Sequence, residues 1–207
     1  MAYKSYSFLG TSISQGYFDE TGKGWVVRLF EKLNTDKPAH YYLSLLACSG
    51  DRSYDLWHRL CSESIQRQND AVIIEVSCND LVRQGSIEAQ TDLSKGIRME
   101  LWGCLLELAK KNFSEVYVTS GLPKNEERMA ATRTSDWNVW YKNEDIQEYN
   151  ADVKVLCAQN NVPFIHLFPE LDHAAYKETL EDAVHPNAQG HEMIAEAAYK
   201  KFKELGF

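Results

Sequence analysis

The sequence has no long apolar run and no excess of basic residues, and both absences exclude classes of protein. Without a stretch of about 20 apolar residues, a transmembrane helix is not expected. The opening MAYKSYSFLG is too short and polar for a signal peptide, so we expect a cytoplasmic protein that does not insert into membranes. The net charge of -8 disfavours nucleic acid as a partner.

Paired cysteines and glycine-rich phosphate loops are also missing, which bears on metals and cofactors. The 5 cysteines are scattered without a CxxC pair, as is typical of reduced thiols rather than of a disulfide framework or a zinc site. His166, His173 and His191 match no zinc-ligand spacing. Because no G-x-G-x-x-G or P-loop follows the first predicted strand, nucleotide and flavin binding are disfavoured. We therefore expect no cofactor and no metal.

Strand-like and helix-like patterns alternate along the chain. Its 207 residues are enough for one core and too few for two ordinary domains, so we expect a single domain over residues 1–207. Apolar runs predict strands over residues 6–9, 41–47, 71–76, 116–119 and 162–167. Helical periodicity marks residues 25–33, 54–65, 88–111, 146–157 and 194–205. The alternation predicts a three-layer α/β fold around a parallel sheet of about five strands.

Polar residues suited to ester hydrolysis follow the predicted strands. Ser12, Gly50 and Asn79 come after the first, second and third strands, and Asp182 and His185 lie in the last loop before the closing helix. Sites in open parallel sheets lie beyond the carboxyl ends of the strands, so these segments should meet at one edge. A serine nucleophile needs a base, a group that orients the base, and hydrogen-bond donors for an oxyanion. These residues could fill all of those roles.

Four sequence blocks carry a family resemblance over nearly the whole chain. They are FLGTSISQGYFDETGKGWVVRL, ACSGDRSYDLWHRL, VIIEVSCNDL and DAVHPNAQGHEMIA. Together they resemble the SGNH hydrolases, also called the GDSL esterase/lipase family, which implies a flavodoxin-like α/β/α fold. The resemblance implies that Ser12 is the nucleophile, His185 the general base and then acid, and Asp182 the residue that orients the imidazole. It further implies that the backbone N–H groups of Ser12 and Gly50 and the side-chain amide of Asn79 form the oxyanion hole.

Two positions depart from the family pattern. The family usually has aspartate where this sequence has Thr11, and glycine where it has Ser77. Neither change removes a catalytic functional group, although both could reduce activity. Asp80, beside Asn79, is expected to have a structural hydrogen-bonding role, and Cys78 to be an inert packing thiol.

These expectations lead to a hydrolase of the carboxylesterase or lipase type. We expect a serine esterase that forms an acyl-enzyme from a small-molecule ester, with acetyl or another short acyl group. Acyl transfer to a second alcohol is an alternative, and so is a catalytically weak or inactive protein that binds a ligand or carbohydrate. An α/β-hydrolase is disfavoured, because residues 10–14 miss the final glycine of the G-x-S-x-G elbow. Aromatic residues between Met129 and Tyr141 could line a pocket or belong to the core, and the sequence does not indicate an oligomeric state.

Overall fold

Strands and helices alternate through the computed structural model, which describes residues 3–38, 40–131 and 138–207. The strands are β1 (Lys4–Leu9), β2 (Tyr41–Leu45), β3 (Ala71–Glu75), β4 (Arg83–Gln84), β5 (Glu115–Thr119), β6 (Val139–Trp140) and β7 (Phe164–Ile165). The α-helices are α1 (Ser12–Gln15), α2 (Gly24–Asp36), α3 (Ser53–Arg59), α4 (Lys95–Asn112), α5 (Glu126–Ala131), α6 (Asn143–Gln159), α7 (His173–Glu178) and α8 (Ala188–Glu204). A π-helical turn covers Leu60–Ser64, and 3₁₀ turns cover Ile65–Arg67, Cys78–Leu81 and Phe168–Glu170.

The main sheet has five parallel strands in the order β2-β1-β3-β5-β7. The predicted fold is therefore confirmed. The register places Ile73 of the central strand β3 beside Phe8 of β1 and Tyr117 of β5. A separate antiparallel pair, β4 and β6, lies outside this sheet.

Two hydrophobic clusters cover the two faces of the sheet. Because side chains alternate along a strand, Ile73 packs into one cluster and Val72 and Ile74 into the other. The first cluster is completed by α2 and α8, and the second by α3, α4 and α6. These layers bury β3 on both faces, which explains its nearly continuous run of apolar residues.

Several predicted elements are shorter in the structure, among them a helix and the last strand. The helix predicted from residue 88 begins at Lys95, after Ser94 as its N-cap, and includes Gly96. The preceding segment is held instead by hydrogen bonds to the 3₁₀ turn after β3, in which the N–H groups of Asp92 and Leu93 donate to the carbonyls of Val82 and Asp80. The last strand is limited to Phe164–Ile165, because only these residues pair with the edge of β5.

Candidate active site

The segments predicted to meet do so at the carboxyl edge of the sheet. Ser12 opens α1 directly after β1, Gly50 follows β2, and Asn79 lies in the 3₁₀ turn after β3. Asp182 and His185 come from the loop before α8. All five line one cavity of about 380 Å³. The structure therefore brings these five residues together at one edge of the sheet.

Ser12, His185 and Asp182 form a continuous chain of hydrogen bonds. The Ser12 Oγ lies 2.8 Å from Nε2 of His185, and Nδ1 of His185 lies 2.7 Å from Oδ2 of Asp182. A carboxylate only accepts hydrogen bonds, so Nδ1 carries the proton and donates to Asp182. In the neutral imidazole, Nε2 is then the acceptor, and the Ser12 hydroxyl donates to it.

The loop that carries Asp182 and His185 is folded around the aspartate itself. Its Oδ1 accepts the backbone N–H groups of Val184 at 3.0 Å and of His185 at 2.7 Å. Ala183, between Asp182 and Val184, is buried and has a left-handed backbone with φ of 73°. Partial burial would raise the pKa of Asp182, but the hydrogen bonds and charge of His185 hold this pKa below its usual value. The carboxylate therefore stays ionised beside the imidazole.

The turn that bears Ser12 is held by a buried carboxylate from the central strand. Oε2 of Glu75 accepts the N–H of Thr11 at 2.8 Å, its hydroxyl at 3.3 Å, and the hydroxyl of Ser14 at 2.8 Å. Burial raises the pKa of Glu75, while these hydrogen bonds and the charge of Lys124 act in the opposite direction. The pKa of Glu75 is raised overall, and a carboxyl group is present at the nucleophile turn although position 11 is threonine.

Free hydrogen-bond donors belong to three of the residues that line the cavity. Within the described parts of the chain, the backbone N–H groups of Ser12 and Gly50 have no acceptor. Gly50 has φ of 83°, which favours glycine, and a Cβ there would meet open space. The amide nitrogen of Asn79 donates to the carbonyl of Asp51 at 2.9 Å, which leaves its second hydrogen available.

Ser77, the second departure from the family pattern, belongs to the same turn as Asn79. Its buried hydroxyl donates to the carbonyl of Asp51 at 2.6 Å and accepts the N–H of Asn79 at 3.2 Å. The serine therefore caps the 3₁₀ turn and fixes the carbonyl to which the Asn79 amide also donates. Its hydroxyl is accommodated without displacing Asn79 from the cavity.

The walls of the cavity are largely apolar and aromatic. Tyr17 and Phe18 are about half exposed and contact the imidazole of His185, with ring centroids 4.9 Å and 5.9 Å away. The other apolar lining residues belong to the pair β4–β6 and to the small cluster packed with it: Val82, Met129, Val139, Trp140, Tyr141 and Val184. The aromatic segment 129–141 thus contributes to both the cavity and a small core, while Trp137 lies outside the described residues.

Other candidate chemistry in the sequence finds no support in the described residues. Among them, no group of three or more histidine, cysteine or acidic side chains is placed to hold a metal ion. Burial raises the pKa of the Cys78 thiol, which disfavours the nucleophilic thiolate. Within the same residues, no helix is both long and apolar enough to span a bilayer.

The contacts by which Glu75 and Tyr141 hold the site residues were not assigned from the sequence. Glu75 carried a signal, because a charged residue inside the apolar run VIIEV needs a partner when the strand is buried. The sequence predicts Tyr141 only as a pocket or core residue; its hydroxyl lies 3.1 Å from Oδ1 of Asn79, and this contact carried no signal, since 62 residues separate the two. Asp80 accepts hydrogen bonds from Ser53 and from Tyr149, in agreement with the structural role expected for it.

Comparisons with known proteins agree on fold and family. The structure is similar to LAE5, an alpha/beta hydrolase enzyme from the metagenome of Lake Arreo, Spain (TM-score 0.76, 18% identity, 98% of this chain and 97% of that chain). It is also similar to Axe2, an acetylxylan esterase from Geobacillus stearothermophilus (TM-score 0.77, 18% identity, 100% and 95% covered). These likenesses establish a shared fold.

In sequence, the chain is 23% identical over 215 residues to the uncharacterized protein YpmR of Bacillus subtilis (strain 168), with 96% of this chain and 81% of that protein covered. The sequence profile of the GDSL-like Lipase/Acylhydrolase family matches residues 8–193, which is most of the chain. The protein therefore belongs to the GDSL-like lipase/acylhydrolase family.

Proposed function

We propose that this protein is a serine esterase that hydrolyses carboxylic esters through an acyl-enzyme. The observation that carries the proposal is the hydrogen-bond chain from Ser12 through His185 to Asp182, which ends beside unpaired N–H donors in an open cavity. The base lies within hydrogen-bond distance of both the nucleophile and the orienting carboxylate.

The proposed reaction follows from the direction of these hydrogen bonds. Nε2 of His185 accepts the Ser12 proton as Oγ attacks the ester carbonyl, and the imidazolium then protonates the leaving alcohol. Asp182 stabilises the imidazolium and keeps Nδ1 protonated in the neutral form. The N–H groups of Ser12 and Gly50 and the amide of Asn79 donate to the oxyanion. Water then attacks the acyl-enzyme. Nε2 of His185 accepts a proton from this water and returns it to Oγ of Ser12 as the carboxylic acid is released.

Short acyl groups, such as acetate, are the proposed acids. The cavity of about 380 Å³ has an apolar wall next to the oxyanion donors, where a small acyl group can be buried. The fold shared with Axe2, an acetylxylan esterase, is consistent with this choice. A series of p-nitrophenyl esters tests it: the highest kcat/KM is expected at acetate or butyrate, and a maximum at octanoate or longer would contradict it.

The central experiment compares p-nitrophenyl acetate hydrolysis by the wild type, Ser12→Ala and His185→Ala. Each change removes a group needed for proton transfer or attack, so kcat should fall by about a thousandfold or more while the fold persists. Asn79→Ala should lower kcat by about a hundredfold through loss of one oxyanion donor. Ser62→Ala, which removes an exposed hydroxyl bonded to the His58 carbonyl, is the control and should be unchanged.

Two further outcomes separate the alternatives. Equal turnover by wild type and Ser12→Ala would exclude the serine mechanism, and absence of Ser12-dependent labelling by a fluorophosphonate would favour a binding protein. Added alcohols give the second test. If they accelerate release of p-nitrophenol, and if new esters of these alcohols form faster than free acid, acyl transfer would replace hydrolysis as the main reaction.

A further inference from the structure

The orientation of the Asn79 amide is determined by its two neighbours. The side-chain atom that faces the Asp51 carbonyl at 2.9 Å must be the nitrogen, because a carbonyl oxygen only accepts hydrogen bonds. Oδ1 then faces the Tyr141 hydroxyl at 3.1 Å, and that hydroxyl must be the donor. A flipped amide would place its oxygen against the Asp51 carbonyl and would lose this contact.

The fixed orientation has a consequence for the cavity. One hydrogen on Nδ2 is taken by Asp51, so the other is the hydrogen available to a ligand beside Ser12. We propose that Tyr141 is a positioning residue whose hydroxyl holds the Asn79 amide so that Nδ2 donates to the oxyanion. The inference rests on the proposed esterase function, and it adds a residue that the family resemblance does not assign.

Tyr141 is itself held firmly enough for this role. Its side chain is only 5% exposed, and the preceding strand β6 pairs with β4 through Trp140 and Arg83. Two residues further on, the Asn143 side chain bonds both backbone groups of Lys124, each at 2.8 Å. A donor that is already oriented costs no reorganisation when negative charge develops.

The phenol also keeps its proton under ordinary conditions. Burial raises the pKa of Tyr141 well above the usual value for tyrosine, and nearby Cys78 and Asp182 act in the same direction. The hydroxyl therefore remains a donor to Oδ1 across the pH range in which an esterase would be assayed.

The variant Tyr141→Phe removes the hydroxyl and keeps the ring that packs against the cavity wall. Because the lost contact orients a donor used in the transition state, kcat should fall about tenfold while KM changes less than twofold. Tyr176→Phe is the matched control: this tyrosine is fully buried, and its hydroxyl has no partner among the described residues. It should leave both constants unchanged.

A double-mutant cycle distinguishes positioning from general damage. In an Asn79→Ala background, Tyr141→Phe should reduce kcat by less than twofold, since the amide that Tyr141 orients is gone. A full tenfold loss in that background, or an unchanged kcat in the single variant, would overturn the inference.

The side-chain amide of Asn79 gives a readout that does not need activity. Its ¹H–¹⁵N signals, assigned by their loss in Asn79→Ala, should shift in Tyr141→Phe and stay in place in Tyr176→Phe. Unshifted signals in Tyr141→Phe would refute the contact. Absence of Ser12-dependent turnover in the wild type would refute the proposed function instead, whatever the amide signals show.

Discussion

Glu75 links the central strand to the nucleophile turn through a single oxygen. Its Oε2 accepts three hydrogen bonds from Thr11 and Ser14, the residues on either side of Ser12 and Ile13. Gly10 is required for this approach, because a Cβ at that position would lie 2.6 Å from Oε2. The position of Ser12 therefore depends on a carboxylate that the turn itself does not contain.

Glu75→Gln and Glu75→Ala should separate geometry from charge. Glutamine keeps an oxygen acceptor for the same donors, so kcat should stay within about threefold of the wild type. Alanine leaves the buried N–H of Thr11 without an acceptor and should lower the free energy of unfolding by about 1–3 kcal/mol. It should also lower kcat more than tenfold, because Ser12 is displaced. Urea unfolding and ester hydrolysis measure both effects, and equal kcat losses in the two variants would show that the charge matters instead.

At the scale of single residues, the sequence locates candidate site residues that directly follow a predicted strand. Ser12 and Asn79 fall into this class, and the structure brings them to one cavity with His185, which lies in the loop before α8. The contact between Tyr141 and Asn79 could not be found in this way, because a tyrosine in a connecting segment has no periodic or positional signal. This contact arises only when the pair β4–β6 folds over the sheet edge.

Helices α1 and α2 meet through two glycines whose backbones touch. Gly16 ends α1 with φ of 93°, and Gly24 begins α2 with φ of 64°. A Cβ on Gly24 would lie 2.6 Å from Cα of Gly16, which is closer than a Cβ atom approaches another heavy atom in folded proteins. Since α1 carries Ser12, this contact connects the packing of α2 to the position of the serine.

Gly24→Ala should therefore destabilise the protein and impair the site together. The left-handed backbone costs alanine about 1–2 kcal/mol, and the steric conflict with Gly16 adds to this. Gly22→Ala is the matched control, because Gly22 also has positive φ, at 71°, yet a Cβ there would meet nothing within 4 Å. In thermal unfolding and ester hydrolysis, Gly24→Ala should lose more stability than Gly22→Ala and more than tenfold in kcat. Similar results for both variants would mean that the backbone contact does not position α1.

The elements themselves were predictable where burial and periodicity agree. The central strand β3 can be predicted because it is buried on both faces and is therefore almost entirely apolar. Helix α2 can be predicted because its apolar residues repeat with the helical period. The start of α4 was wrong by several residues, since the segment before Ser94 is held by contacts with the turn after β3 rather than by local preference. Tertiary hydrogen bonds of that kind leave no trace in a sequence window.

At the scale of the whole molecule, one buried polar cluster joins four elements on the same side of the sheet. The Tyr149 hydroxyl, on α6, donates to Asp80 at 2.6 Å and accepts the indole N–H of Trp102, on α4, also at 2.6 Å. Ser53 at the start of α3 bonds the same aspartate through its N–H and its hydroxyl. The cluster therefore ties three helices to the turn that carries Asn79.

Tyr149→Phe tests how much this cluster contributes to global stability. The change leaves the buried indole N–H of Trp102 without an acceptor and removes a donor from Asp80, so the free energy of unfolding should fall by about 1–3 kcal/mol. Tyr199→Phe is the control, because its hydroxyl bonds Asp36 at 2.6 Å in an exposed position, where water can replace it and a much smaller loss is expected. Urea unfolding midpoints, converted with a common dependence of the free energy on urea concentration, give the change in the free energy of unfolding for both variants. Equal losses would mean that solvent replaces the Tyr149 hydroxyl as readily as the exposed one, and that the packing of the apolar cluster alone holds these helices to the sheet.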